Sequence, residues 1–205
     1  MNRTLLAVIL VAALIAGAWV ALDSKPTAAP PPEPRVATVL PAPQALPEFT
    51  LVDQTGADRK RDYLEGQWDL LFFGFTHCPD ICPTTLATLS SARQELSKSI
   101  AGAAPRIVLV SVDPERDTPE KLAEYIAYFG EDNLALTGPE AAIRELTEPL
   151  FVYFSKVPLE NGDYTVDHSS VVLLVDPEGR FHALFSGPHK AADFVHDLPI
   201  IMGNS

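Results

Sequence analysis

A chain of 205 residues, 47% of them hydrophobic, is long enough for one ordinary domain with its own core plus appendages. Its formal net charge of −12 repels phosphate backbones and excludes nucleic acid as a partner. With only two cysteines, the chain is not a disulfide scaffold, and a single sulfur pair has to be accounted for.

Residues 5–22 carry no charge, and eighteen apolar positions rising ~1.5 Å each span roughly 27 Å, close to one bilayer core. Trp19 lies near the outer end of the run, where an interfacial aromatic is expected, and Arg3 precedes it, which keeps the N-terminus cytoplasmic. A cleaved signal peptide is the competing reading, through the cleavage-like triplet Ala16-Gly17-Ala18. The apolar run continues past that triplet, which favours an uncleaved transmembrane anchor over residues 1–22. Both readings export the rest of the chain, where thiol pairs oxidise readily. Residues 23–45 are rich in Pro and Ala and read as a semi-rigid, extended linker, and the domain is expected to occupy 46–205.

Within the domain, residues 49–56 read as a strand and turn, and 68–75 as a buried strand. Residues 83–98 read as a helix, with Leu86, Leu89, Ala92, Arg93 and Leu96 at helical spacing and Pro83 in the first turn. The run Arg106-Ile107-Val108-Leu109-Val110-Ser111-Val112 has the continuous apolar character of a strand covered on both faces. Asp113, Glu115 and Asp117 fall in the following loop, where capping and solvation account for them. Thr118 is a good N-cap, with Pro119 at the first helical position. A short strand at 133–136, a helix at 139–150, a polar turn-rich stretch at 155–167, a strand at 169–175, a hairpin return at 180–185 and a helix at 190–202 complete the chain. Helical crossovers force parallel pairing and short turns force antiparallel pairing. The order therefore predicts an α/β fold of the thioredoxin-like kind, a mixed central sheet flanked by helices.

Cys78 and Cys82 sit where the first core strand gives way to the helix. Helix N-terminal amides are expected to lower a thiol pKa there, that of Cys82 in particular. By position alone the pair serves equally as a structural or regulatory disulfide, as a redox couple, or as two ligands of a soft metal, above all Cu(I). A metal needs a third donor. His168 precedes the second buried strand, at the sheet end that faces the cysteine loop, and Asp167 is a candidate to orient its imidazole. Exchange enzymes of this fold use a two-residue cysteine spacer and a proline before that strand. Here the spacer is Pro79-Asp80-Ile81, and Asp167-His168 stands where the proline would be. The Pro-x-x-x-Thr-x-x-Cys pattern of peroxide-reducing cysteines is absent as well. His77 is expected to point away from the sulfurs, and His182, His189 and His196 to lie on the surface.

Three segments resemble the Sco/SenC family in order along the chain: Phe73-Gly74-Phe75-Thr76-His77-Cys78-Pro79-Asp80-Ile81-Cys82-Pro83, Val110-Ser111-Val112-Asp113-Pro114-Glu115-Arg116-Asp117-Thr118, and Tyr164-Thr165-Val166-Asp167-His168-Ser169. Phe49-Thr50-Leu51-Val52-Asp53-Gln54 is similar to that family's opening strand. The resemblance implies a metallochaperone rather than an enzyme, with one copper ion, Cu(I) or Cu(II), per domain on Cys78, Cys82 and His168. It implies cytochrome c oxidase subunit II, through its CuA centre, as partner, with other periplasmic copper chaperones as further partners. It also implies a single-pass protein of the inner membrane with its C-terminal domain on the periplasmic side. A second activity within the same resemblance is thiol-disulfide exchange or redox signalling through a Cys78–Cys82 disulfide.

Overall fold

The computed structural model describes residues 2–23, 32–99, 104–160 and 162–203. The chain divides into two compact units, Met1–Pro32 and Glu33–Ser205. The first contains helix α1 (Arg3–Asp23), whose side chains are described for residues 4–19. Leu5, Val8, Ile9, Leu10, Val11, Leu14, Ile15 and Trp19 are exposed around it. Among the described residues no helix is long and apolar enough to cross a membrane.

The second unit is built on an eight-stranded sheet. In chain order its strands are β1 (Thr38–Ala45), β2 (Thr50–Asp53), β3 (Asp58–Lys60), β4 (Asp69–Gly74), β5 (Arg106–Ser111) and β6 (Leu134–Thr137). Strands β7 (Phe154–Pro158) and β8 (Tyr164–His168) form a separate hairpin sheet, and β9 (Val172–Val175) and β10 (Arg180–Phe185) return to the main one. The main sheet runs β1-β10-β9-β4-β5-β6-β2-β3. Strands β4, β5 and β6 are mutually parallel, whereas β9 is antiparallel to β4 and β10 to β9.

Helices α2 (Ile81–Ser99) and α3 (Pro119–Ala127) are the crossovers between the parallel strands, and right-handed connection puts them on one face. Helix α5 (Ala191–Gly203) packs against α2, and the return from β6 to β9 carries α4 (Glu140–Thr147) across the other face. The mixed sheet flanked by helices is as the sequence predicts. Every side chain of β4 is buried, as are all but Arg106 in β5, because both faces are covered. Helix α2 turns Cys82, Leu86, Leu89, Ala92 and Leu96 to this core at helical spacing. Thr118 caps α3 by accepting the Lys121 N–H, with Pro119 at the first position.

Two expectations change. Residues 24–31 of the expected linker lie outside the described residues, and its later part is not a spacer, since β1 pairs with β10 from Thr38 to Ala45. An edge strand tolerates Pro41 and Pro43 because a missing N–H can face away from the sheet, and the register slips between Val39 and Gln44 around them. Just before β1, the N–H groups of Arg35, Val36 and Ala37 all donate to the buried Asp197 on α5, at 2.8, 2.9 and 2.9 Å. The hydrogen bonds of one buried carboxylate therefore start the domain earlier than composition suggests.

The stretch expected to be turn-rich is the β7–β8 hairpin, with Phe154 opposite His168 and Pro158 opposite Tyr164. Residue 161 of its Asn161-Gly162 turn lies outside the described residues. His168 consequently ends a hairpin strand and does not open β9. Charged and polar residues mask this hairpin in sequence, because only Phe154 and Val166 of its strands are fully buried.

Candidate metal centre

Antiparallel β9 starts beside the C-terminal end of β4, with Val172 opposite Phe72, so the chain between β8 and β9 reaches the sheet end from which the cysteine loop leaves. There the Sγ atoms of Cys78 and Cys82 and an imidazole nitrogen of His168 lie within 4.8 Å of one another. Residues 86 positions apart meet directly, with Cys82 Sγ 3.4 Å from His168 Nε2. The imidazole stands edge-on to Phe72 and Phe75, at centroid distances of 6.1 and 5.8 Å. Its Nδ1 lies 3.1 Å from the Ser169 carbonyl oxygen. Donation from Nδ1 to that carbonyl leaves the Nε2 lone pair toward the sulfur. Asp167 does not perform the orienting role expected of it. It is exposed and lines the same cleft as His168, but the imidazole Nδ1 meets the Ser169 carbonyl and not the Asp167 carboxylate.

Both cysteines are free thiols, but they differ. Cys82 is fully buried in the first turn of α2, and its sulfur fits only because residue 74 is glycine. A Cβ there would lie 2.9 Å from both Cys82 Sγ and Phe72 Cε1. Cys78 lies at the edge of the core, beneath a cleft of about 270 Å³ rimmed by Pro79, Asp80, Ile81 and Thr165. The Cys82 N–H, at the helix N-terminus, donates to Cys78 Sγ at 3.4 Å. The Cys82 thiol, then His168 and the amides of Cys82 and Asp80, hold the Cys78 pKa well below the ordinary thiol range against the effect of burial. The charge on Cys78, together with burial, pushes Cys82 up. The sequence expectation is thus reversed. The Cys82 thiol is the largest cause of the lowered Cys78 pKa, and the helix-terminal Cys82 amide, which points back at its neighbour while its own side chain turns into the core, is a smaller one.

The Asp113, Glu115 and Asp117 loop is more than a solvated cap. Asp117 is fully buried and accepts hydrogen bonds from the Thr76 N–H (3.0 Å), the Thr76 hydroxyl (2.6 Å) and the Ser111 hydroxyl (2.7 Å). It therefore fixes the chain two residues before Cys78. One signal was available in sequence: three carboxylates directly after a strand buried on both faces. His77 is half-exposed, 4.0 Å from Asp117, and stands outside the cluster. The other histidines are partly buried in structural contacts, a correction to their expected surface position. His182 packs on Trp68, His189 Nε2 lies 2.6 Å from the Ser170 carbonyl, and His196 Nδ1 lies 2.7 Å from Asp197.

Residues 38–203 match the model of the SCO1/SenC family. The mitochondrial SCO2 homolog of Danio rerio is 44% identical over 136 residues, which cover 65% of this chain and 48% of that protein, so the match spans about half its length. The copper-bound structure of ScoI from Arabidopsis thaliana superposes with a TM-score of 0.74 at 34% identity, covering 78% of this chain and 99% of that one. The BsSco structure, described as having a disulfide switch in a member of the Sco family of cytochrome c oxidase assembly proteins, superposes with a TM-score of 0.61 at 26% identity, covering 80% and 97%.

Proposed function

Because this chain belongs to the SCO1/SenC family, we propose that it is a membrane-anchored, exported copper metallochaperone that serves cytochrome c oxidase assembly. The observation that carries this reading is the convergence of Cys78, Cys82 and His168 within 4.8 Å. Two soft thiolates and an imidazole suit Cu(I) in a three-coordinate site and accept Cu(II) with one added ligand. The Cys78 thiol gives up its proton readily, so only the Cys82 proton has to be displaced by the metal. Copper is cargo here. It leaves through the open cleft by ligand exchange onto another Cys/His site, and the CuA centre of oxidase subunit II is the recipient that the family points to. Other periplasmic copper chaperones are the corresponding donors.

A helix apolar on all faces is stable where lipid covers it. The uncharged run 5–22, with Arg3 before it, supports a single-pass anchor in the inner membrane with the domain on the periplasmic side.

The test is an anaerobic Cu(I) titration of the full chain in mild detergent. One copper per chain is expected, with an affinity that falls in His168→Ala by more than the roughly 10–100-fold typical of losing an outer hydrogen bond. A stoichiometry well below one, or binding indifferent to His168→Ala, overturns the three-ligand reading.

The asymmetry of the thiols favours a second activity. Cys78, ionised at the edge of the core, is a nucleophile, and buried Cys82 resolves the mixed disulfide. One partner disulfide is reduced to two thiols as Cys78 and Cys82 pass two electrons and form their own disulfide. Exchange uses the imidazole only to help hold Cys78 ionised, so reduction of a subunit II disulfide that survives in His168→Ala and is lost in Cys78→Ser favours this role.

A further inference from the structure

The segment Asp113-Pro114-Glu115-Arg116-Asp117 carries more buried charge than a loop needs and contributes no metal ligand. Its position follows from register. Gly74 and Ser111 are aligned at the ends of parallel β4 and β5, and the Val112 N–H donates to the Gly74 carbonyl, so the two loops leave the sheet side by side. Asp117 uses this proximity to hold Thr76, on the cysteine side.

The rest of the segment faces the other way, toward the hairpin that ends in His168. Arg116 Nε donates to Asp113 at 2.5 Å, and Arg116 Nη1 donates to the Tyr164 carbonyl at 3.0 Å. The guanidinium carbon lies over the Tyr164 ring, 3.9 Å from its centroid, and 5.9 Å from that of Phe75, the ring against which His168 stands. The Tyr164 hydroxyl donates to Asp113 at 2.8 Å. Glu115 pairs with Lys156 on the facing strand at 2.5 Å. Tyr164 is the first residue of β8 and His168 the last. Asp113 is fully buried, and the Asp117 N–H donates to its carbonyl, which makes the two grips one rigid turn.

We infer that this segment is a positioning clamp that fixes His168 against the cysteines by tying the hairpin, through Arg116, Asp113 and Tyr164, to the same turn that ties down Thr76. Among the described residues the hairpin forms no ladder with the main sheet and buries only Phe154 and Val166 of its strands in the core, so polar and stacking contacts to this turn help set its register against the cysteine loop. Arg116 suits the task because its planar fork bonds a carboxylate and a carbonyl at once while stacking on a ring. The inference rests on the copper reading only for its consequence, not for its geometry.

The experiment uses the full chain in detergent, with Arg116→Met and Tyr164→Phe against Arg61→Met, which breaks only the pair with exposed Glu48. NMR cross-peaks between the His168 imidazole and the Phe72 and Phe75 rings are read first, without metal. They are expected to weaken in Arg116→Met, to weaken less in Tyr164→Phe, which removes only the hydroxyl's bonds to Asp113 and Glu115, and to persist in Arg61→Met. Cu(I) affinity is then expected to fall about 10- to 100-fold in Arg116→Met, with no further loss when His168→Ala is already present, because both act through one ligand. Intact cross-peaks in both clamp variants, or losses that add to that of His168→Ala, overturn the clamp. If His168→Ala leaves copper binding unchanged, the copper reading fails, and the metal-free cross-peaks still decide the clamp. Should Arg116→Met not fold, Tyr164→Phe carries the test.

Discussion

Cys78 and Cys82 hang from the eight-stranded sheet, where β4 is buried from Asp69 to Gly74, whereas His168 ends a two-stranded sheet that mixes buried and exposed positions. The thiol half is positioned by packing. Gly74, Phe72 and the core face of α2 leave Cys82 Sγ a single place to sit. The imidazole half is positioned by a few directed contacts, namely the Ser169 carbonyl, two ring edges and the polar turn behind Tyr164. Packing resists displacement because dense interiors have few alternative arrangements, while a hairpin that buries only Phe154 and Val166 and is otherwise held by polar contacts has less to resist with. For the proposed role of holding and releasing copper, this division would fix two candidate donors and leave the third more readily moved.

The largest effect is expected from Asp117→Ala, which strips three donors of their buried acceptor at the point where the halves meet. Unsatisfied buried donors cost about 1–3 kcal/mol each, so chemical denaturation is expected to register a loss of about 3 kcal/mol or more. A loss below about 1 kcal/mol would mean that water replaces the carboxylate and that the turn is not fixed from within. Gly74→Ala comes next, because its Cβ would meet Cys82 Sγ and Phe72 at 2.9 Å. Overpacking of this kind costs about 1–3 kcal/mol, and Cu(I) affinity is expected to fall with stability, since the displaced atom is a donor. Unchanged affinity in a destabilised variant would show that Cys82 relaxes without harm.

The smallest effect is one of reactivity and concerns the two thiols. Because the Cys78 pKa is lowered and that of Cys82 raised, iodoacetamide is expected to modify Cys78 first. The rate should be nearly flat from mildly acidic to alkaline pH, without the rise through about 8.5 of an ordinary thiol. The sign follows from the depressed pKa: the reactive thiolate is already present at neutral pH and disappears only as the pH falls through the lowered value. A rate that climbs through the ordinary thiol range contradicts the assignment of the helix amide to Cys78.

Much of this was legible in sequence, and the misses share one cause. Continuous apolar runs located β4, β5 and β9, because strands covered on both faces must be apolar throughout. The α2 spacing, the Thr118 cap and the identity of the three donor residues were equally plain. The β7–β8 hairpin was not, since only Phe154 and Val166 of its strands are fully buried and Lys156 and Tyr164 turn to Glu115, Asp113 and Arg116. Strand β1 was hidden by Pro41 and Pro43, which composition assigns to a spacer and an edge strand accommodates. The order of thiol acidity was reversed, because it depends first on which thiol donates to the other within the fold, and helix position says only that an amide is near.

The sequence by itself therefore determined the crossover core and the family, and through the family resemblance named the candidate donors, all of which depend on local periodicity or on residue identity. Only the tertiary structure decided that 86 intervening residues close to 3.4 Å between Cys82 and His168. It also decided that the Ser169 carbonyl, not Asp167, meets the imidazole Nδ1, and that Asp113, Arg116 and Asp117 face inward. The contacts of Cys82 with His168, of Asp117 with Thr76 and of Arg116 with Tyr164 are long-range pairings of polar groups. Their partners are set by strand register and direction, which no local pattern encodes.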